Sequence, residues 1–178
     1  MLEEINYTNC MKAENVVEII KLSNQHQIEV YVDGGWCVDA LVGEQNRSHL
    51  DLDLALPHRF EKKLRAILRE RGFEELDLSY SWECNFVLKD KSGLLIDIHT
   101  YELNDNGENI FGVPYQRIHL SGTGSINGYF VKCISPEWTM KFHTGYDLDE
   151  NDYHDLLVLS RKFGLPIPPE YDRFKIIE

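Results

Sequence analysis

His49-Leu50-Asp51-Leu52-Asp53-Leu54-Ala55-Leu56, with the abrupt break Asp33-Gly34-Gly35-Trp36 upstream of it, is the stretch that decides how this chain is read. In an extended strand residues i and i+2 project from one face. Asp51 and Asp53 therefore point the same way, while Leu52, Leu54 and Leu56 fall at positions that can be buried. Two neighbouring carboxylates repel, and each raises the pKa of the other unless a cation sits between them. A divalent ion held by oxygen ligands answers that repulsion, and magnesium is the expected one. The glycine pair supplies the second part of the expectation. A strand, two glycines and a helix present free backbone N–H groups at a positive helix end, and glycine lets a phosphate approach the backbone closely. Neither GxxxxGK[ST] nor GxGxxG occurs, so this is neither a P-loop nor a dinucleotide fingerprint.

Working outward, residues 15–24 carry Val16, Val17, Ile19, Ile20 and Leu22 at amphipathic-helix spacing. Residues 28–32 alternate as a strand, Asp33-Gly34-Gly35 reads as a turn, and residues 36–42 read as a short helix stopped by Gly43. A second strand covers 50–56 and ends at Pro57; a charged amphipathic helix covers 60–71 and stops at Gly72. Strands are expected at 74–78 and 84–89, then a tight turn at 89–93 into a strand over 94–101. Residues 104–127 are rich in Gly and Asn with little periodicity and read as a long loop, of the kind that surrounds a site or moves. A strand at 129–134 and helices at 136–146 and 152–163 follow; the proline-rich stretch 165–169 suits neither a helix nor a central strand. A helix, then strands, then helices indicate an α+β domain with a mixed sheet. The expectation is a single domain over 1–178, with 1–10 a peripheral extension and 147–178 a C-terminal helix and tail.

The 178 residues suffice for one domain with a real core, and the formal charge of −12 argues against broad electrostatic binding to nucleic acid or anionic membranes. A metal-neutralised nucleotide is not excluded by that charge. Cys10, Cys37, Cys84 and Cys133 show no CxxC spacing, so neither a zinc site nor a disulfide framework is expected. No basic-then-apolar leader pattern and no run of membrane length occurs, so a cytoplasmic protein is the expectation.

Asp97 is the third acidic element. It lies in the apolar run Leu94-Leu95-Ile96-Asp97-Ile98-His99, where an unpaired carboxylate is costly to bury, and His99 shares its face. If this strand neighbours the Asp51 strand, three carboxylates converge and suit one or two magnesium ions and a phosphate ester. Asp97 could then be a bridging ligand, a general base for a substrate hydroxyl, or both. Arg47 and His49 stand close enough to the acidic pair to approach phosphate; bracing or surface roles fit them equally. Asp39 reads either as a brace of the glycine turn or as an exposed helix residue. His143, Tyr146, Asp152 and Asp155 either line an acceptor site or cap and connect two C-terminal helices. Tyr80, Trp82 and Tyr115 either stack on a base or sugar or pack.

Val32-Asp33-Gly34-Gly35-Trp36-Cys37-Val38-Asp39-Ala40-Leu41-Val42-Gly43, followed by Arg47-Ser48-His49-Leu50-Asp51-Leu52-Asp53-Leu54, resembles the lincosamide nucleotidyltransferases. The aminoglycoside 2''-nucleotidyltransferases share a looser form of the pattern. Leu95-Ile96-Asp97-Ile98-His99 is similar to the third-carboxylate strand of these enzymes, and 142–155 to their C-terminal segment. The resemblance spans roughly residues 15–160 but does not carry through 104–127. Lys141 stands where the lincosamide enzymes are apolar. The resemblance implies a polymerase-β-like fold, a nucleoside triphosphate donor such as ATP, magnesium, and transfer of a nucleoside monophosphate to a hydroxyl of a small acceptor. It implies Asp51, Asp53 and Asp97 as metal ligands and catalytic residues, with Asp97 the base, and Gly34 and Gly35 against the triphosphate. A homodimer would complete a shallow acceptor pocket. Two rival readings remain: a catalytically degenerate nucleotide-binding module and a metal-dependent phosphohydrolase.

Overall fold

The computed structural model describes residues 9–174, so most of the expected extension over 1–10 lies outside the described residues. Five helices, α1 (Ala13–Gln25), α2 (Gly34–Val42), α3 (Glu61–Glu70), α4 (Pro136–Phe142) and α5 (Glu150–Phe163), accompany eight strands among those residues. The strands are β1 (Tyr31–Asp33), β2 (Asp51–Pro57), β3 (Glu74–Glu75), β4 (Asn85–Lys89), β5 (Leu95–Leu103), β6 (Asn109–Gly112), β7 (Gly122–Ile126) and β8 (Tyr129–Cys133). They form one sheet in the order β3-β4-β5-β2-β1-β8-β7, with β6 paired to β5. β2 runs parallel to β5 and antiparallel to β1, which makes the sheet mixed.

The central strands separate two kinds of side chain by the strand period. Leu52, Leu54, Ile96 and Ile98 are wholly buried and join Val16, Ile19 and Ile20 of α1 and Leu64 and Leu68 of α3 in the main core. Their neighbours at odd positions, Asp51, Asp53, Asp97 and His99, are only partly buried and occupy the opposite face. Helix α2 buries Trp36, Cys37, Val38, Ala40 and Leu41, an apolar surface nearly all round, as an internal helix requires. Gly43 ends it at φ 87°, its N–H returning to the Asp39 carbonyl. At the start of α5 Asp149 and Asp152 exchange side-chain and backbone hydrogen bonds in a capping box.

Several boundaries differ from the sequence reading. Residues 28–30 are not strand, and β1 begins at Tyr31. Gly34 and Gly35 form the first turn of α2 rather than a separate turn. The expected strand over 74–78 contracts to Glu74–Glu75, and the helix expected to reach 146 ends at Phe142. The largest correction concerns 104–127, which holds β6 and β7 and is not a loop. Its glycines serve close packing. A Cβ on Gly124 would lie 2.1 Å from the Ala40 carbonyl oxygen of α2, and one on Gly112 would lie 2.3 Å from that of Thr100. β6 also exposes both Ile110 and Phe111, so it shows no alternation of buried and exposed positions.

Candidate active site

The parallel register of β2 and β5 sets Asp53 beside Asp97. Ligating atoms of Asp53, Asp97 and His99 all lie within 4.8 Å of one another. Asp51 shares their face but sits opposite Leu95, two residues before Asp53, and is outside this trio. On the other side β1 sets Asp33 opposite Asp53. Asp33 accepts from the Gly34 N–H at 2.8 Å and from the Tyr115 hydroxyl at 2.6 Å. The Tyr115 oxygen lies 3.1 Å from His99 Nδ1, and His99 Nε2 lies 3.3 Å from Asp97 Oδ1. A chain of polar contacts thus runs Asp33–Tyr115–His99–Asp97 across three elements.

Burial, and then the charges of Asp51 and Asp97, push the Asp53 carboxyl well above its ordinary range. Burial and Asp97 raise Asp51 as well. For His99 burial works downward, but Asp97, with Asp53 and Asp33 behind it, outweighs it and raises the ring to about 9. The doubly protonated ring donates from both nitrogens, which matches a tyrosine oxygen on one side and a carboxylate on the other. Asp97 Oδ1 is buried, and its His99 contact, an ion pair at 3.3 Å, is not a well-formed hydrogen bond. Crowded carboxylates, one with a buried oxygen that makes no well-formed hydrogen bond, fit a divalent cation. Asp53, Asp97 and His99 could hold such an ion, and carboxylate oxygens are the donors that a hard cation takes.

The glycine pair borders this centre. Gly34 has φ +58°, and a Cβ there would lie 2.1 Å from Asp53 Oδ2. A Cβ on Gly35 would lie 2.5 Å from His49 Nδ1 and 2.6 Å from Arg47 Nη2. Both positions lack a side chain because the acidic site and the Arg47–His49 pair already fill that volume. His49 is 2% exposed, its Nε2 2.5 Å from Asp39 Oδ2, with its ring against Trp36. Asp39 also accepts from the Asn46 N–H at 3.0 Å, so it braces the connection from α2 to β2. Arg47 pairs in bidentate fashion with Asp155 of α5, at 2.9 and 2.6 Å.

A family model described as aminoglycoside-2''-adenylyltransferase matches residues 15–159. The chain belongs to this family. It is 32% identical over 158 residues to a lincosamide resistance protein of Staphylococcus haemolyticus, covering 82% of the chain and 96% of that protein. It is 28% identical over 123 residues to a 2''-aminoglycoside nucleotidyltransferase of Escherichia coli, covering 67% of the chain and 66% of that protein. Among solved structures, the lincomycin-bound crystal structure of the lincosamide antibiotic adenylyltransferase LnuA superposes with a TM-score of 0.74 at 28% identity, covering 85% of the chain and 98% of LnuA. ANT(2'')-Ia in complex with adenylyl-2''-tobramycin shares the fold at a TM-score of 0.66 and 19% identity, covering 85% and 89%. The protein is thus a nucleotidyltransferase of polymerase-β-like fold.

In this family member the C-terminal residues connect elements. Asp152 accepts from the Tyr146 hydroxyl at 2.8 Å and takes part in the α5 capping box. His143 Nδ1 lies 2.8 Å from the Thr139 carbonyl, and the Tyr171 hydroxyl donates to the His143 carbonyl. Lys141 Nζ lies 4.1 Å from the centre of the Trp138 ring. Tyr80 and Trp82 are exposed, whereas Tyr115 is buried. The sequence reading missed Asp33 as part of the site, and it considered Tyr115 as a stacking or packing ring without its hydroxyl contact to Asp33. Asp33 carried a signal, since an Asp directly before a helix is a favoured N-cap. Tyr115 carried none, because its partner is 82 residues away.

Proposed function

We propose that this nucleotidyltransferase moves AMP from ATP to a hydroxyl of a small molecule, with magnesium, and that the acceptor is a lincosamide-type antibiotic. The observation behind the chemistry is the β2–β5 register, which sets Asp53 and Asp97 side by side at the glycine end of α2, with a buried carboxylate oxygen that makes no well-formed hydrogen bond. The relative called a lincosamide resistance protein and the lincomycin-bound neighbour support the acceptor class.

Asp53 and Asp97, with Asp51 beside them, would hold the magnesium, as one or two ions. Bound there, the metal supplies charge neutralisation at the α-phosphate and at the departing pyrophosphate. Asp97 takes the proton of the acceptor hydroxyl. The acceptor O–P bond forms as the bond to pyrophosphate breaks, and binding keeps the three atoms in line. Gly34 and Gly35 bring the N-terminal amides of α2 to the triphosphate. Arg47 contributes its remaining N–H groups there, and His49, held by Asp39, fixes the turn that carries Arg47. His99 orients Asp97. The setting we propose is a single cytoplasmic domain with no nucleic-acid or membrane partner, assembled as a homodimer that closes the acceptor pocket. The charge of −12 supports the absence of nucleic acid, and no described helix is long and apolar enough to cross a membrane.

The test is pyrophosphate release with magnesium and each of the four nucleoside triphosphates, against lincosamides, aminoglycosides and other hydroxylated compounds. Release with ATP and a lincosamide, absent without acceptor, is the expected result. Inorganic phosphate without any acceptor would indicate hydrolysis, and nucleotide binding without turnover across the panel would indicate a non-catalytic module.

A further inference from the structure

Asp155 sits in the middle of α5, wholly buried. A buried carboxylate is expensive unless it is fully paired, and this one is paired across 108 residues with the Arg47 guanidinium, through Nε and Nη2. Its next neighbour is His143 Nε2, at 3.8 Å. The guanidinium is thereby fixed in one plane. Nη2 lies 2.6 Å from where a Gly35 Cβ would stand, alongside the first turn of α2. Nη1 donates to the Ser48 carbonyl at 3.1 Å. Arginine has five N–H groups, so one on Nη1 and one on Nη2 have no partner among the described residues. The Arg47 side chain keeps 23% of its surface exposed beside the helix N-terminus. A cation fixed next to a positive helix end is a preorganised anion site.

We infer that Asp155 is a positioning residue of the donor side: it acts through Arg47 on the triphosphate and does not line the acceptor pocket. This rests on the nucleotidyltransferase reading above. It assigns α5 a part in donor binding, beyond its place in the C-terminal packing. The ion pair uses the Nε edge of the guanidinium and leaves N–H groups on both terminal nitrogens for phosphate oxygens. A free Arg47 would lose that orientation on a long side chain with many rotamers.

Calorimetric titration of the full-length chain with Mg·ATP, repeated with the other three nucleoside triphosphates, tests this. The proteins are the wild type, Asp155→Asn, Asp155→Glu, Arg47→Ala and the Asp155→Asn/Arg47→Ala pair, each with a melting curve. Asp155→Asn is expected to weaken binding about tenfold and Arg47→Ala at least as much. The double variant should be within about twofold of Arg47→Ala alone, since residues acting through one contact are not additive. Asp155→Glu should recover part of the loss, and acceptor KM should stay within about twofold of the wild type. Unchanged affinity in Asp155→Asn, additive losses in the double variant, or a rise in acceptor KM alone would each overturn the inference. Should Asp155→Asn melt below the assay temperature, Arg47→Lys gives the same readout, because it keeps the charge and loses the fork. A wild type that binds nucleotide yet releases no pyrophosphate would remove the transferase reading, while the binding series would still decide the role of Asp155.

Discussion

Gly34→Ala separates the steric role of the glycine turn from its backbone role. The added methyl would stand 2.1 Å from Asp53 Oδ2 and 2.8 Å from its Cγ. Ordinary carbon contacts are about 3.5 Å or longer, so the carboxylate must retreat by about 1 Å or more. The backbone cost is separate. Gly34 has φ +58°, and an alanine in the left-handed region costs about 1–2 kcal/mol. For a chain of this length that corresponds to a fall of roughly 2–8 °C in Tm. Gly128→Ala provides the control, since Gly128 has φ +73° and nothing lies within 4 Å of its would-be Cβ. Both variants should lose the backbone share, and Gly34→Ala more, by the cost of displacing the Asp53 carboxylate. Only Gly34→Ala should lose activity, by about a hundredfold in kcat/KM, the expected scale for misplacing a reacting group by about 1 Å. Magnesium titration of pyrophosphate release, with melting curves for both proteins, is the assay. If Gly34→Ala retained activity comparable to Gly128→Ala, the packing of the turn against Asp53 would have no catalytic meaning.

Three further outcomes follow from the charges of the site. Asp53→Asn removes a carboxyl whose ionised form the fold resists, so the metal-free protein should melt higher while pyrophosphate release falls below detection; residual turnover near wild type would count against Asp53 as a metal ligand. His99 titrates at about 9 in the fold against an ordinary 6.5, so its contribution is fully present below pH 6.5 and lost as pH rises through 9. The raised Asp53 acts in the same direction. Urea unfolding of metal-free protein should show a loss on the order of 3 kcal/mol between pH 6 and 9.5, and Asp97→Asn should flatten it. Tyr115→Phe leaves Asp33 Oδ2 without its buried donor and should cost about 1–3 kcal/mol, read from thermal melts.

The parts of the fold that follow a period were legible. Val16, Ile19 and Ile20, at i, i+3 and i+4, mark the buried face of α1, and the alternating leucines mark β2. What could not be read was packing that carries no period. Gly122, Gly124 and Gly112 look like loop residues, yet each admits a neighbouring backbone where a side chain would collide. Tyr115, Arg47 and Asp155 take their meaning from partners far along the chain, and no local pattern announces such a pair. His49 and Asp39 lie ten residues apart at the ends of one short helix–strand connection, and even there bracing and phosphate contact looked alike in the sequence.

The acidic centre shows where parity helps and where it stops. β2 places its carboxylates at odd positions between apolar even ones, and β5 does the same with Asp97 and His99. A slip of one residue between the strands would turn one strand's acids into the apolar core, so that register is excluded on energetic grounds alone. A slip of two residues preserves both faces. It would pair Asp51 with Asp97 and would satisfy every pattern visible in the sequence. The structure takes the register that pairs Asp53 with Asp97, and the glycine turn marks out the same aspartate from the other side. β1 pairs Asp33 with Asp53, and Gly34 then comes against the Asp53 carboxylate, not that of Asp51. Asp53 is therefore the carboxylate held between helix α2 and Asp97, while Asp51 lies at the strand entrance with its charge still felt by Asp53. The two aspartates of one short motif are unequal for a reason that belongs to the third strand and not to the motif.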